Sequence, residues 1–174
     1  MALAVMTVCT GNMCRSPLAE RLLAARAAQA GLEVVVDSAG TRAANGAQIH
    51  PETRRVLAGY GGSADDFASR HLSSRVLAGR DLVLTATRAH RDAVQELAPL
   101  LWKKTYTLLE AARLADADES LVLAGLARAR LGIDTDDPAL DVDDPIGRAP
   151  DVFDRTGEQI SDAVDSIVRL LARR

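Results

Sequence analysis

Short apolar runs alternate with longer amphipathic segments along this chain, which is the pattern of buried strands followed by covering helices. Strands are predicted at residues 3–8, 33–36, 81–85 and 105–108. Near-continuous apolar strands that alternate with helices are typical of a parallel sheet covered on both faces. The pattern therefore predicts an α/β fold, in which ligands bind beyond the carboxyl ends of the strands.

Helices are predicted from apolar stripes and from the residues that start or stop a helix. Ser16 is a suitable N-cap and Pro17 suits the first helical position, so a helix is predicted from there to a stop near Gly31. Other helical segments are predicted from residue 51, at 88–97, at 109–131 with interruptions, and at 152–171. Residues 134–145 form an acidic loop before the last helix.

Composition and charge restrict the class of protein. The 174 residues are 48% hydrophobic and 26% charged, which is typical of a single folded domain, predicted to span 1–174. A net charge of −3 gives no reason to expect nucleic acid or an anionic membrane as partner. A signal peptide and a membrane-spanning run are both missing from the pattern, so a cytoplasmic location with reduced thiols is expected.

The loop after the first strand reads CTGNMCRS and carries the strongest chemical signal. Gly11 and Asn12 tolerate unusual backbone angles, and a helix begins directly after Arg15. Backbone amides backed by a helix dipole form an anion site suited to phosphate, and Arg15 adds a two-pronged donor. The positive potential of the helix N-terminus and of Arg15 also favours a thiolate at Cys9. The loop therefore predicts a phosphate cradle with a nucleophile at its base, which requires no metal or cofactor.

The two cysteines, Cys9 and Cys14, have other conceivable uses. A structural disulfide is disfavoured in a reducing compartment. Zinc needs four ligands in closely spaced pairs, whereas His50, His71 and His90 are scattered, so no metal site is predicted. His90 is expected to be an ordinary surface or helix-packing residue.

The stretch 9–17 (CTGNMCRSP) closely resembles the phosphate loop of the low-molecular-weight protein tyrosine phosphatases of bacterial type. Further segments resemble that family in the same order, namely 37–41 (DSAGT), 69–72 (SRHL), 81–85 (DLVLT) and 144–145 (DP). The resemblance implies a single-domain, three-layer fold with a central four-stranded parallel sheet of order 2-1-3-4, flanked by helices.

The resemblance also implies roles for particular residues. Cys9 is the nucleophile, Arg15 clamps the phosphoryl oxygens, and Asp144 is the general acid and base. Cys14 could form a reversible disulfide with Cys9 under oxidation. The residues expected to bind the phosphate are Thr10, Gly11, Asn12, Met13, Cys14, Arg15 and Ser16.

Other residues are assigned to the surroundings of the loop on the same resemblance. Ser38 and His71 are expected to support the phosphate loop, and Met13 and Ile146 to form the substrate wall. The chain departs from the family at Phe67, which replaces a histidine, and at Ile146, which replaces an aromatic residue. Residues 111–135 form a longer segment than is typical.

Several points stay open at this stage. Asp144 is preferred as the acid because a glycine and the last helix follow it, but Asp143 and Asp137 are alternatives.

The predicted activity is metal-independent hydrolysis of phosphomonoesters, with phosphotyrosine proteins as substrates and inorganic phosphate as product. A bacterial tyrosine kinase is one substrate that the family suggests. The alternatives are an arsenate reductase coupled to a small thiol, and a protein-arginine phosphatase, which typically has threonine in place of Met13. The oligomeric state is open.

Overall fold

The computed structural model describes residues 2–173, within which the chain forms four strands and seven α-helices. The strands are β1 Leu3–Cys9, β2 Val34–Gly40, β3 Leu82–Thr85 and β4 Thr105–Thr107. The helices are α1 Arg15–Gln29, α2 Pro51–Gly59, α3 Ser74–Leu77, α4 Arg88–Leu97, α5 Leu108–Ala117, α6 Leu126–Ala129 and α7 Pro150–Ala172. Short 3-10 turns lie at Pro99–Lys104, Leu123–Gly125, Arg130–Gly132 and Pro138–Leu140.

The strands form one parallel sheet in the order β2-β1-β3-β4. In the register of the central pairs, Cys9 lies beside Gly40 and Val8 beside Thr85. The carboxyl ends of the strands therefore meet at one edge of the sheet, and the loop after Cys9 begins there. The predicted four-stranded parallel sheet of order 2-1-3-4 is confirmed.

Both faces of the sheet are covered, which explains why its strands are apolar without alternation. Val5 and Leu84 belong to a large buried cluster with side chains of α1, α2, α5 and α7. Met6 and Val83 belong to a second cluster that includes Leu77 of α3 and Val94 of α4. The result is the predicted three-layer arrangement, helices on sheet on helices.

The start of α1 differs from the prediction. The helix begins at Arg15, and its N-cap is Cys14, which makes no side-chain capping bond. The expectation that Ser16 is the N-cap is therefore wrong, because its hydroxyl is engaged with Cys9 and Asn12 instead. Pro17 still lies in the first turn, where its missing amide hydrogen leaves no intrahelical bond unmade.

Strand β2 is longer than predicted and continues through Gly40 instead of ending at Val36. Asp37 and Ser38 made the second half of the strand resemble a loop, but each has ion-pair or hydrogen-bond partners. Asp37 is paired with Arg80 and Arg70, and Ser38 is hydrogen-bonded on both sides. Polar groups with partners can be accommodated in a central sheet.

The remaining elements follow the predicted pattern with small shifts. The strand predicted at 105–108 ends at Thr107, which instead caps α5 through a capping box with Glu110. The interrupted helical region is present as α5, α6 and the intervening turns. Among residues 2–173 the structure has no helix with the length and apolar character that crossing a bilayer requires.

Candidate active site

The loop between β1 and α1 (residues 9–16, the phosphate loop) lies at the carboxyl edge of the sheet. Cys9 is the last residue of β1 and is almost fully buried. Asn12 adopts a left-handed conformation with φ of 52°, which is uncommon outside glycine. Gly40 packs directly against the loop, because a Cβ at Gly40 would clash with the Thr10 carbonyl oxygen and lie 2.8 Å from the Asn12 nitrogen.

The buried side chain of Asn12 holds the loop in this conformation. Its amide nitrogen donates to the hydroxyl of Ser16 at 2.9 Å and to that of Ser38 at 2.7 Å. Its amide oxygen accepts from the backbone N–H of Arg70 at 2.8 Å. Three hydrogen bonds, two of them to distant parts of the chain, stabilise a backbone geometry that is unfavourable by itself.

The hydroxyl of Ser16 lies next to the Cys9 sulfur. Because this hydroxyl accepts from Asn12, its own proton is free for another acceptor. Two acceptors are within reach, the Cys9 sulfur at 3.0 Å and the Ala39 carbonyl oxygen at 3.4 Å. Ser16 is therefore placed to form a hydrogen bond with the Cys9 sulfur.

Ser38 extends this network to a carboxyl group that sequence reasoning missed. Since Ser38 accepts from Asn12, it donates its proton to Glu20. Burial raises the pKa of Glu20, while the hydrogen bond from Ser38 opposes that increase. The sequence held one signal for Glu20, because it lies four residues after Ser16 and therefore on the same face of α1.

Arg15 lies beneath the loop and is only 5% exposed. One terminal nitrogen donates to the Val142 carbonyl at 2.9 Å, and the other lies 3.0 Å from the Asp144 carboxylate. Its Nε–H is buried and has no hydrogen-bond partner among residues 2–173. A buried guanidinium with an unused donor is suited to binding an anion.

The backbone of the loop offers further donors. Within residues 2–173, no hydrogen bond is made by the amides of Gly11, Asn12, Met13 or Cys14. Unused amides next to a helix N-terminus form a site for phosphate or a similar oxyanion. The predicted phosphate-binding residues are therefore together in one loop, and the dipole of α1 lies behind them.

Three aspartates were alternatives for the acid, and the structure separates Asp144 from Asp137. The carboxylate of Asp137 accepts from Arg113 at 2.9 Å and from the Ala139 amide at 2.9 Å, and these bonds lower its pKa. Asp144 instead contacts Arg15, directly at the phosphate loop.

The loop that carries Asp144 is anchored on the sheet and on α4. The Val142 amide donates to the Ala86 carbonyl at 2.8 Å, next to the end of β3. Arg88 binds Asp141 with several hydrogen bonds, and Arg91 donates to the Thr135 carbonyl at 3.0 Å. These contacts hold Asp144 near Arg15, although more than a hundred residues separate the two in sequence.

His71 and His90 differ in their contacts with the phosphate loop. The ring of His71 lies 3.3 Å from the Ala43 carbonyl, and in the part of the chain that the structure describes it has no hydrogen bond to residues 9–16. The support of the loop by His71 therefore stays a prediction, while the backbone N–H of Arg70 donates to Asn12 of the loop. His90, expected to be an ordinary residue, is buried and contacts Thr10 of the loop.

Cys14 differs chemically from Cys9. Both are free thiols, but burial raises the pKa of Cys14 to about 11, while a hydrogen bond with Thr53 acts in the opposite direction. Cys14 is therefore protonated at neutral pH. Met13 packs against the core, whereas Ile146 is 48% exposed, so the predicted substrate wall is apolar but partly open.

Comparison with known proteins gives a consistent result. The family profile described as "Low molecular weight phosphotyrosine protein phosphatase" matches residues 4–119. A low molecular weight protein-tyrosine-phosphatase of Streptomyces coelicolor is 41% identical over 102 residues, which cover 57% of this chain and 62% of that protein. The match thus spans less than two thirds of that relative.

Two further relatives match along nearly the whole chain. A protein-arginine-phosphatase of Bacillus subtilis is 26% identical over 173 residues, which cover 97% of each protein. The crystal structure of a low molecular weight protein tyrosine phosphatase from T. tengcongensis superposes with a TM-score of 0.77 and 28% identity, covering 96% of this chain and 98% of that one. This chain belongs to the low molecular weight phosphotyrosine protein phosphatase family.

Proposed function

We propose that the protein is a cysteine-dependent, metal-independent phosphomonoester hydrolase that acts on phosphotyrosine in proteins. The observation that carries the proposal is the unused Nε–H of Arg15, buried behind the same loop that presents Cys9. A thiolate and an oxyanion site in one loop supply both the nucleophile and the charge stabilisation that phosphoryl transfer requires.

The proposed reaction has two steps. The Cys9 thiolate attacks phosphorus, the S–P bond forms, and the bond to the leaving oxygen breaks as protonated Asp144 donates a proton to that oxygen. The Asp144 carboxylate then accepts a proton from water, the water oxygen attacks phosphorus, and the S–P bond breaks to release inorganic phosphate. Arg15 and the loop amides bind the phosphoryl oxygens throughout, and no step needs a metal ion.

Two substrate classes deserve comparison. The apolar Met13 and Ile146 suit the ring of an aryl phosphate, which supports phosphotyrosine. The match along the whole chain to a protein-arginine-phosphatase supports phosphoarginine as the second candidate. The relatives from Streptomyces coelicolor, Bacillus subtilis and T. tengcongensis are phosphatases by name, so they add no support for the arsenate reductase alternative.

A substrate panel tests the proposal. Wild type and Cys9→Ser are assayed with a phosphotyrosine peptide, with phosphoarginine, and with arsenate plus a small thiol. We expect hydrolysis of the phosphotyrosine peptide by wild type in the presence of EDTA, and its loss in Cys9→Ser. Full activity of Cys9→Ser would overturn the mechanism, and arsenate turnover without phosphatase activity would replace the proposal by the reductase.

The biological setting is proposed on the same basis. The substrate would be a tyrosine-phosphorylated protein, such as a bacterial tyrosine kinase, and the enzyme would act in the cytoplasm as a single domain formed by residues 1–174. The two free thiols of Cys9 and Cys14 are compatible with that reducing compartment.

A further inference from the structure

His90 lies in the first turn of α4, next to the phosphate loop, and is 6% exposed. Its Nε2 atom is 2.8 Å from the hydroxyl oxygen of Thr10, the residue that follows the nucleophile. Eighty positions separate the two residues in sequence, so the contact depends on the fold. A buried histidine in contact with the loop is not required by the reaction described above.

The second ring nitrogen of His90 is also engaged. Nδ1 lies 2.8 Å from the hydroxyl oxygen of Thr87, which is the N-cap of α4 and accepts from the backbone amide of His90 at 3.3 Å. The ring is therefore held at both ends, between a helix cap and the phosphate loop. Such a ring cannot rotate without breaking a bond to one of the two threonines.

The ring of His90 is neutral under physiological conditions. Burial lowers its pKa to about 4, and the positive charge of Arg15 acts in the same direction. A neutral imidazole has one donor and one acceptor nitrogen. The Thr87 hydroxyl oxygen already accepts from an amide, so we assign its proton to Nδ1 and the ring proton to Nε2.

This assignment determines the role of Thr10. If Nε2–H donates to the Thr10 oxygen, the hydroxyl proton of Thr10 is not used by His90 and is available to an acceptor in the phosphate loop. The acceptor that the proposed reaction brings there is a phosphoryl oxygen. Such a bond to a charged oxygen is stronger than one between neutral groups.

We propose that His90 is a positioning residue for phosphoryl binding, which orients the Thr10 hydroxyl so that it donates to the bound phosphoryl group. The inference deepens the proposed function and rests on it. His90 acts only through Thr10 and does not contact the substrate.

The test uses two matched amide variants of His90. The amide of Gln can reach the position of Nε2 and donate to Thr10, whereas the shorter Asn can replace only Nδ1. We expect His90→Asn to lower kcat/KM for p-nitrophenyl phosphate about ten-fold and to weaken inhibition by inorganic phosphate similarly, and His90→Gln to retain most of both. Equal losses in the two variants would overturn the proposal.

A double-mutant cycle supplies the second readout. Thr10→Val removes the hydroxyl, and we expect it to make the loss caused by His90→Asn disappear, because His90 then has nothing to orient. If the fold loss of the double variant equals the product of the two single losses, the residues act independently and the inference is overturned. Urea unfolding of each variant identifies any loss of stability, which by itself would leave the phosphate inhibition constant unchanged.

The outcome is separable from that of the proposed function. Binding of inorganic phosphate to wild type, His90→Asn and His90→Gln is measured by calorimetry, with no turnover needed. If wild type hydrolyses no phosphomonoester, the proposed function fails, while the calorimetric comparison still decides whether His90 orients a phosphate-binding group. If wild type is active but the Asn and Gln variants bind phosphate equally, only the present inference fails.

Discussion

At the scale of single residues, the two cysteines of the phosphate loop have different chemistry although five positions separate them. The Cys9 sulfur lies 3.0 Å from the Ser16 hydroxyl oxygen, and Cys14 lies in the core with its pKa raised to about 11 by burial. A thiol reacts with alkylating reagents through its thiolate, so the fraction of thiolate decides which cysteine is modified.

This contrast predicts selective alkylation. Iodoacetamide at pH 7 should modify Cys9 and leave Cys14 largely unmodified, because Cys14 is protonated at that pH. Mass spectrometry of peptides from the labelled native protein measures both sites, and inorganic phosphate should slow the labelling of Cys9 only. Comparable labelling of Cys14 in the folded protein would contradict the predicted difference.

Gly40 gives a second prediction at this scale. Gly40→Ala places a methyl group against the Thr10 carbonyl and the Asn12 nitrogen, both of which are backbone atoms that cannot move aside cheaply. We expect kcat to fall about a hundred-fold, since displacement of a catalytic loop by about 1 Å has an effect of that size.

The matched control is Gly59→Ala, at the last residue of α2, where an added Cβ meets no atom within 4 Å. That variant should keep wild-type kcat and unfold at the same or a slightly higher urea concentration. Wild-type activity in Gly40→Ala would mean that the loop does not depend on this close approach.

At the scale of elements, the acidic loop shows what sequence could and could not decide. Its position before α7 and its Asp-Pro steps could be recognised in the sequence. The choice between Asp144 and Asp137 depended on their contacts with Arg15 and Arg113, which are far from them in sequence. Ser16 was mistaken for an N-cap for another reason. Its partners, Cys9 and Asn12, are close in sequence, but their contacts with its hydroxyl depend on the conformation of the loop.

The acidic loop carries a prediction about the general acid. Asp144→Asn should lower kcat by about 10²–10⁴-fold, the typical contribution of general acid–base catalysis. Asp137→Asn is the matched control and should change kcat little, because its carboxylate binds Arg113 instead of facing the phosphate loop. Steady-state kinetics with phosphotyrosine peptide measure both, and the reverse order of effects would assign the acid to Asp137.

Helix α4 was predicted with its correct bounds, and yet its contribution to the site was missed. The run of polar residues at its start gave no sign that His90 turns inward to Thr10, because the contact is made across the sheet edge. His71 was the more plausible histidine by its neighbourhood in sequence, but its ring contacts Ala43 instead. Closeness in sequence to a motif does not predict which side chains contact the site when loops from several strands meet at one edge of the sheet.

At the scale of the whole molecule, the fold was predictable because β1, β3 and the first half of β2 are nearly continuous apolar runs. Continuous apolar strands require cover on both faces, and connections through helices make the neighbouring strands parallel. The strand order was accessible only through the family resemblance. The hydrogen-bond network of the site could not be predicted from the sequence, because Asn12 joins residues from α1, β2 and the Arg70 segment.

Global stability should depend on pH through His90. Its pKa falls from 6.5 to about 4 on folding, mainly through burial and then through Arg15, while Asp144 and Asp141 oppose the decrease. The unfolded chain therefore binds more protons between pH 6.5 and about 4, so this contribution to stability is complete above pH 6.5 and is lost as the pH falls. The loss is on the order of 3 kcal/mol.

Urea unfolding at pH 7 and pH 4.5 measures this effect. The difference in the free energy of unfolding between the two pH values should be smaller in His90→Gln than in wild type, because glutamine does not titrate. His71→Gln is the control at an exposed histidine, and it should keep the wild-type pH dependence. An unchanged pH dependence in His90→Gln would contradict the prediction.

The ion pair between Arg15 and Asp144 gives the resting enzyme an internal competitor for its own anion site. An arriving phosphate competes with this tethered carboxylate for the guanidinium, and its binding frees the Asp144 side chain to face the leaving group. The ion pair thus lowers the affinity of the loop for phosphate, and it couples the release of Asp144 to the binding of substrate. Replacing Asp144 by asparagine should consequently strengthen the binding of inorganic phosphate while it slows turnover, so that the best binder of the product is a poor catalyst.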